Sequence, residues 1–93
     1  MIIGKVIGNV WATKKEDSLS GLKLMIVRRE NFCDRQDSPF VAVDVVGAGI
    51  GEQVLITRGS SAHKALGRTD IPIDAVIVGI IDSLEIEHDR KDI

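Results

Sequence analysis

Apolar side chains alternate with polar or small ones along several short stretches of this chain. Residues 2–13 show the pattern plainly, because Ile3, Ile7 and Trp11 all fall on one side of that stretch. A period of two residues is typical of β-strands, and clusters of Gly, Ser or Pro separate the stretches from one another. The pattern predicts five strands, over residues 2–13, 22–27, 40–46, 53–58 and 75–81.

The segment after the fourth predicted strand is typical of a short helix. Ser60 or Ser61 can accept the free N–H groups of a first helical turn, so we expect a helix from Ser61 to about Leu66. Gly67 would end it. Five strands with close turns predict an all-β fold, a five-stranded OB-like Greek-key barrel with one short helix. The length allows one domain, residues 1–93, in which residues 85–93 form a charged tail.

The apolar residues are too many for the inside of one small barrel. The strands predicted over residues 40–46 and 75–81 are apolar on both faces, and Ile3, Ile7 and Trp11 add a further apolar stripe. Large exposed apolar patches mark interaction surfaces, and small domains often gain stability by oligomerisation. The sequence therefore predicts a cyclic homo-oligomer, although the apolar excess does not fix the number of subunits.

Composition narrows the classes of function. Twelve basic and 14 acidic residues give a net charge of −2, and the aromatic residues are Trp11, Phe32 and Phe40. Nucleic-acid binders usually carry a basic surface and stacking aromatics. We therefore expect no nucleic-acid partner, and an OB-fold nucleic-acid-binding module is kept as the alternative function. A small enzyme or ligand-binding barrel is a second alternative.

Cysteine content and hydropathy point to the cytosol. Cys33 is the single cysteine, which precludes an internal disulfide and fits a reducing compartment. Cysteine and histidine are too few for a structural zinc site, and we expect no cofactor. The N-terminus lacks the pattern of a signal peptide, and no apolar run approaches the roughly 20 residues of a membrane span. We expect a soluble intracellular protein with no membrane partner.

Two short motifs contain residue types found in nucleotide-binding loops and in serine nucleophile sites. Gly47-x-Gly49-x-Gly51 follows a valine-rich stretch, but it lacks the spacing of a dinucleotide-binding loop and precedes a predicted strand. Ser60 and Ser61 lie close to His63, yet the sequence around them does not match the Gly-x-Ser-x-Gly of a nucleophile elbow. The glycines are better explained by a sharp turn with close packing, and the serines by helix capping. We therefore expect no enzyme activity.

Isolated acidic residues have two interpretations. Asp44, Asp74 and Asp82 lie among apolar residues, and Glu52 directly follows the glycine run. Such carboxylates can be perturbed acids or bases. We favour a structural role, in which they pair with backbone N–H groups or with an arginine at a subunit contact. Cys33 and His88 are assigned no role.

Five segments of the chain, taken in order, form a recognisable set. They are Gly4-Lys5-Val6-Ile7-Gly8-Asn9-Val10-Trp11-Ala12-Thr13-Lys14, Leu19-x-Gly21-x-Lys23-Leu24, Phe40-Val41-Ala42-Val43-Asp44-x-Val46-Gly47-Ala48-Gly49-x-Gly51-Glu52-x-Val54-Leu55, Gly59-Ser60-Ser61-Ala62 and Ile73-Asp74-Ala75-x-Ile77-Val78-Gly79-Ile80-Ile81-Asp82. In this order they resemble the EutN/CcmL family of pentameric vertex shell proteins of bacterial microcompartments, the carboxysomes and metabolosomes. The resemblance runs from Met1 to about Asp82.

The resemblance implies a function that the residues alone do not. Members of the family are OB-like barrels that form pentamers at the vertices of a polyhedral shell, in which hexamer-forming shell proteins build the facets. The family has no known catalytic role or cofactor, and it works in the bacterial cytoplasm, in the shell that encloses the compartment's enzymes. Here His63 stands where the family commonly has arginine, so no contact of that arginine is carried over.

Residue type and position then suggest where the subunits meet. We expect Ile3, Ile7, Trp11, Asp44 and Asp82 at subunit contacts. Small residues let several backbones approach one symmetry axis. We therefore place a central opening at the glycine-rich loop together with two serines, a set made of Gly47, Ala48, Gly49, Ile50, Gly51, Glu52, Ser60 and Ser61.

Overall fold

The computed structural model describes residues 1–12, 15–30, 38–68 and 70–85. All five predicted strands and the helix are present. In chain order they are β1 (Ile2–Asn9), β2 (Lys23–Arg29), β3 (Phe40–Asp44), β4 (Gln53–Arg58), α1 (Ser60–Leu66) and β5 (Ala75–Ile80), with a single 3-10 turn over Asp17–Leu19. The predicted charged tail beyond residue 85 lies outside the described residues and stays a prediction.

Three strands end earlier than predicted: β1 at Asn9, β3 at Asp44 and, by one residue, β5 at Ile80. β1 ends at Asn9, and beyond it one hydrogen bond, from Val10 N to Leu24 O (3.0 Å), still ties the chain to β2. β3 ends at Asp44 because the carboxylate oxygen Oδ1 accepts the N–H groups of Val46 and Gly47, at 3.0 and 3.1 Å. Such a side-chain turn competes with the sheet for backbone partners.

The strands close into a barrel in the order β1-β2-β3-β5-β4. β1 pairs antiparallel with both β2 and β4, and β4 pairs antiparallel with β5. The barrel is completed by a parallel pairing of β3 with β5, in which Val43 lies opposite Val76. This pairing order, with one parallel closure between non-consecutive strands, confirms the predicted OB-like Greek-key barrel.

The apolar side chains form two separate clusters. The first fills the barrel, and its buried members are Val6, Met25, Val27, Ala42, Ala48, Val54, Ile56, Ala75 and Ile77. The second lies outside the barrel, where α1 covers Val43 and Val76 with Ala62, and Leu24 and Leu66 pack at its edge. Val43 and Val76 are fully buried within the chain. The chain's own helix therefore covers part of the apolar excess of β3 and β5.

Gly4 shows why a strand of this barrel needs glycine. A Cβ added to Gly4 would lie 2.8 Å from Ile56 Cδ1 and 3.0 Å from Arg28 O. The second atom is backbone and cannot move aside without disturbing the pairing of β1 with β2. Glycine thus permits the close approach of strands that a strongly coiled barrel demands.

Candidate functional site

The glycine-rich loop between β3 and β4, residues 45–52, closes one end of the barrel. Gly51 N donates to Val6 O (2.8 Å), and Val6 N donates to Glu52 O (3.0 Å). Ala48, in the middle of the loop, is fully buried and belongs to the barrel core. The position of the loop is therefore fixed. Backbone hydrogen bonds join it to β1, and the methyl group of Ala48 packs in the barrel core.

Lys23 and Asp44 hold the same loop from the side of β2 and β3. The two residues lie opposite each other in the β2–β3 pairing. Lys23 Nζ lies 3.3 Å from Asp44 Oδ2 and donates to Ala48 O at 3.1 Å. Asp44 Oδ2 is buried and accepts no hydrogen bond from the described residues, so its contact with the half-exposed Lys23 is an ion pair without good hydrogen-bond geometry.

The three loop positions occupied by glycine differ in whether the fold requires a glycine there. Gly47 and Gly51 have φ values of 83° and 93°, in the left-handed region that favours glycine. Gly49 has no such backbone requirement, and an added Cβ would meet only Glu52 Oε1, at 3.4 Å. That oxygen accepts the Gly49 N–H at 2.6 Å. The described fold of this chain therefore accounts for Gly47 and Gly51 but gives Gly49 no comparable reason.

A groove of about 460 Å³ lies between the glycine-rich loop and the chain that continues β1. Trp11 forms one side with 90% of its surface exposed, and Ile50 forms the other with 62% exposed. Met25 and Ala48, both buried, also line it. The groove is thus a concave, largely apolar surface. The side chains of Trp11 and Ile50, on its two sides, face solvent in the single chain.

The predicted interface residues fall into three environments. Trp11, Ile7 and Asp82 are exposed, and Ile3 is half-buried opposite Leu55 on the outside of the barrel. Asp44 is buried and engaged within the chain. Of its two interpretations, pairing with backbone N–H groups is confirmed. Its place at a subunit contact, like that of the other four residues, stays a prediction.

The residues predicted to form the central opening lie in two separate places in the fold. The loop of residues 47–52 directly precedes β4, whereas Ser60 and Ser61 follow its far end. A strand of that length separates them by roughly 20 Å at about 3.3 Å per residue. Within one chain, therefore, the structure does not bring the loop and the serines together at one level of the barrel.

The helix cap was assigned to the wrong residue. The N-cap is Gly59, with a φ of 64°, and no side chain caps the helix. Ser60 and Ser61 are exposed residues of the first turn. The predicted C-terminus is confirmed, because Gly67 adopts the left-handed conformation with a φ of 72°. Gly59, directly before the two serines, was the signal that sequence reasoning missed, since glycine is also accepted at the N-cap.

His63 borders a different hollow from the glycine-rich loop. It lines a cavity of about 290 Å³ with Ile71, Pro72, Ile73 and Asp74. None of the hydrogen bonds in the described part of the chain joins His63 to a serine side chain. Within the same residues, no group of three His, Cys, Asp or Glu side chains lies where it could hold a metal ion. Cys33 and His88 lie outside the described residues.

Sequence reasoning also missed Lys23 and the groove. Lys23 begins a strand as one charged residue among many, and only the pairing of β2 with β3 sets it against Asp44. The groove joins residues far apart in the chain, Trp11 and Ile50. None of the described helices is long and apolar enough to cross a membrane.

Comparison with known proteins gives one consistent family. Residues 1–82 match the model of the EutN_CcmL family, described as ethanolamine utilisation protein EutN/carboxysome. A carboxysome shell vertex protein CcmL of Synechocystis is 46% identical, covering 92% of this chain and 87% of its own length. A microcompartment shell vertex protein GrpN of Rhodospirillum rubrum is 49% identical, covering 91% of this chain and 97% of its own.

Solved structures agree with the sequence matches. The GrpN pentameric microcompartment shell protein of Rhodospirillum rubrum superimposes with a TM-score of 0.79 at 47% identity, over 92% of this chain and all of that one. CcmL of Gloeobacter violaceus superimposes with a TM-score of 0.83 at 37% identity, over 99% of this chain and all of that one. The likeness thus covers nearly the whole barrel.

Proposed function

Since this chain belongs to the EutN/CcmL family, we propose that it is a structural shell protein that caps the vertices of a bacterial microcompartment. It is a closed five-stranded barrel that assembles with copies of itself into a ring. The ring seals a vertex of the polyhedral shell in the bacterial cytoplasm. Hexameric shell proteins are its neighbours in the facets, and the chain itself has no catalytic role and needs no cofactor.

One observation carries this function. Relatives 35–49% identical to this chain along about nine-tenths of its length or more are named as shell vertex proteins, of carboxysomes and of other microcompartments. Two of the matching solved structures are named as pentameric shell proteins. Five copies around an axis fit a vertex where five facets meet. The same comparisons do not favour the alternative of an OB-fold nucleic-acid-binding module.

The exposed apolar side chains support assembly. Trp11 and Ile50 flank the groove, and Ile7, Val41 and Val45 are exposed elsewhere on the described surface. Side chains of this kind would be buried by neighbouring copies, which gives a small domain the stability that its own core does not supply. Ile3, Ile7, Trp11, Asp44 and Asp82 remain our proposed contact residues.

Gly49 supports the proposal of a crowded axis at the glycine-rich loop. The chain's own fold leaves room for a side chain at Gly49, apart from the contact with Glu52 Oε1. A glycine that the single chain does not need is explained if a second backbone passes close to it in the ring. Gly47, Gly51 and Glu52 would border the same opening, whereas Ala48 is buried in the barrel core and Ile50 lies beside the groove. Ser60 and Ser61 would line the central opening at a different height along the axis of the ring.

The first experiment measures stoichiometry and sealing. Native mass spectrometry of the purified protein should give a mass of five chains. Co-expression with a hexamer-forming shell protein should give closed polyhedral shells in electron micrographs, with density at every vertex. Omission of this chain should leave shells whose vertices are open, because hexamers alone do not fill a five-fold position.

A Gly49→Val variant tests whether the glycine-rich loop lies at the symmetry axis of the ring. The barrel should fold normally, as judged by circular dichroism, while pentamer formation or vertex sealing is lost. The matched control is Ala65→Val, at an exposed position of α1, which follows the end of β4 opposite the loop. Normal pentamers and sealed vertices with Gly49→Val would contradict the axis assignment, whereas a wild-type protein that is not pentameric would contradict the proposed function itself.

A further inference from the structure

The groove beside Trp11 carries charge of one sign. Its ionisable lining residues are Lys15 and Lys23, and the other residues around it are apolar or uncharged. Lys15 is exposed, and the Lys23 side chain is half-exposed although it contacts Asp44. An occupant that suits this surface has an apolar side chain to place between Trp11 and Ile50, with carboxylates next to it.

The segment that follows β5 has this chemistry. Residues 82–85 read Asp-Ser-Leu-Glu, and Leu84 is 40% exposed between the exposed acids Asp82 and Glu85. The segment leaves the barrel after Ile81, whose N–H donates to Gln53 O at 2.8 Å. Within the described part of the chain it has no hydrogen bond to the barrel beyond that point, and it does not line its own groove.

We propose that, in the ring, residues 82–85 of one subunit occupy the groove of the next. Leu84 lies between Trp11 and Ile50, and the carboxylates of Asp82 and Glu85 lie near Lys15 and Lys23. The proposal rests on the proposed function, since it presupposes a ring of identical subunits. It adds the direction of the contact and the segment that each subunit contributes.

The symmetry of a ring requires two different surfaces on each subunit. A head-to-tail contact joins one patch of a subunit to another patch of its neighbour, and it closes when the rotation fits. The groove and residues 82–85 are such a pair, because one is concave and cationic and the other is an exposed leucine flanked by acids. Opposite charges at the rim favour this pairing over groove against groove.

The groove is also preformed. Trp11 follows the hydrogen bond from Val10 N to Leu24 O, and Ile50 lies in the loop held by Val6, Lys23 and Asp44. A site already shaped in the single chain loses little conformational entropy on binding. An exposed tryptophan at the side of such a groove is the residue type that most often dominates a protein interface.

Cross-linking of paired cysteines tests the contact. In a Cys33→Ser chain, the double variant Ile50→Cys/Leu84→Cys is treated with a short bismaleimide and run on a denaturing gel. We expect a ladder of covalent species up to five chains. The single variants Ile50→Cys and Leu84→Cys should stay monomeric on the gel, since a head-to-tail contact brings unlike positions together. The control pair Ile50→Cys/Ala65→Cys, with the second cysteine on an exposed residue of α1, should give no ladder.

Each other outcome overturns the pairing. A double variant that cross-links only within its own chain would place residues 82–85 in the groove of the same subunit. Dimers from Ile50→Cys alone would show groove against groove, and a ladder from the Ala65 control would place α1 there instead. All three are scored on samples whose native mass is that of a pentamer, so that a failure of the contact is distinguished from a failure of the ring.

Charge reversal gives an independent readout. Lys15→Glu and Glu85→Lys should each raise the concentration at which pentamers dissociate by several-fold at low salt. The double variant should return it towards the wild-type value, because the pair is restored with opposite signs. No rescue by the double variant, with both single variants impaired, would remove the Lys15–Glu85 contact from the proposal.

Discussion

Two apolar surfaces lie outside the barrel core, and the described residues cover only one of them. On one side, α1 covers Val43 and Val76, which are fully buried. On the other, Trp11 and Ile50 flank an open groove. Both regions are apolar in the sequence, yet the chain's own helix covers one, whereas none of the described residues covers the other. The covered surface thus serves the fold, and we propose that the open groove serves assembly.

The comparison predicts that a charge has opposite consequences in the two regions. Ala62→Asp puts a carboxylate in the fully buried contact of α1 with the barrel and should lower the free energy of unfolding by about 3–5 kcal/mol. Ile50→Asp, at the exposed groove, should keep the fold but lose the ring. Urea denaturation of Ile50→Asp with and without Ala62→Asp measures the first effect on a monomeric background. Equal unfolding of Ile50→Asp and of the double variant Ile50→Asp/Ala62→Asp would refute it.

Loss of the tryptophan should act on assembly alone. Trp11→Ala removes the more exposed of the two large apolar side chains that flank the groove and should weaken each subunit contact by about 2–4 kcal/mol, as for an interface hot spot. Trp11→Phe keeps an aromatic ring and should lose less. Analytical ultracentrifugation over a range of concentrations measures the pentamer's dissociation. Wild-type dissociation by the alanine variant would show that the groove does not hold a neighbour.

The support of the groove can be weakened without touching its sides. Asp44→Ala leaves the N–H groups of Val46 and Gly47 without their acceptor and Lys23 without its ion pair. We expect a loss of about 1–3 kcal/mol in the free energy of unfolding. Asp44→Asn keeps a side-chain oxygen for the two N–H groups and should lose less. Both variants are compared by urea denaturation in the Ile50→Asp background. The prediction fails if the free energy of unfolding of Asp44→Ala is not lower than that of Asp44→Asn.

The smallest effect is expected at the helix that covers the other surface. Ser60→Ala and Ser61→Ala should change the free energy of unfolding by less than about 0.5 kcal/mol, as exposed substitutions do. A true capping serine would lose about 1 kcal/mol. Thermal unfolding of both variants in the same background decides between these values. A loss of the larger size would mean that a serine caps α1 in solution.

The fold could be predicted because its signals are local. Short apolar stretches, some alternating and some apolar on both faces, located all five strands, and Gly67 marked the end of the helix. The ends of β1 and β3 were misplaced because they depend on contacts that the pattern does not record. β3 stops where the Asp44 side chain takes the next N–H groups, and an apolar pattern that continues through Val46 gives no sign of it.

The site was only partly predictable, since it is assembled from distant residues. Trp11 was placed at a contact from its position in an apolar stripe. Its partner across the groove, Ile50, was instead assigned to the central opening. Lys23 was not singled out, because a lysine acquires its meaning here only from the β2–β3 pairing that sets it beside Asp44 and Ala48.

The sequence by itself determined the barrel, its short helix and an excess of apolar residues, because the periodicity of side chains and the turn-forming glycines are properties of neighbours in the chain. Only the tertiary structure decided how that excess is divided. α1 folds back over Val43 and Val76, whereas no described element covers Trp11 and Ile50. Burial depends on which distant segments meet in space, and hydrophobic pattern alone does not distinguish a face covered by the chain's own helix from one left for another subunit.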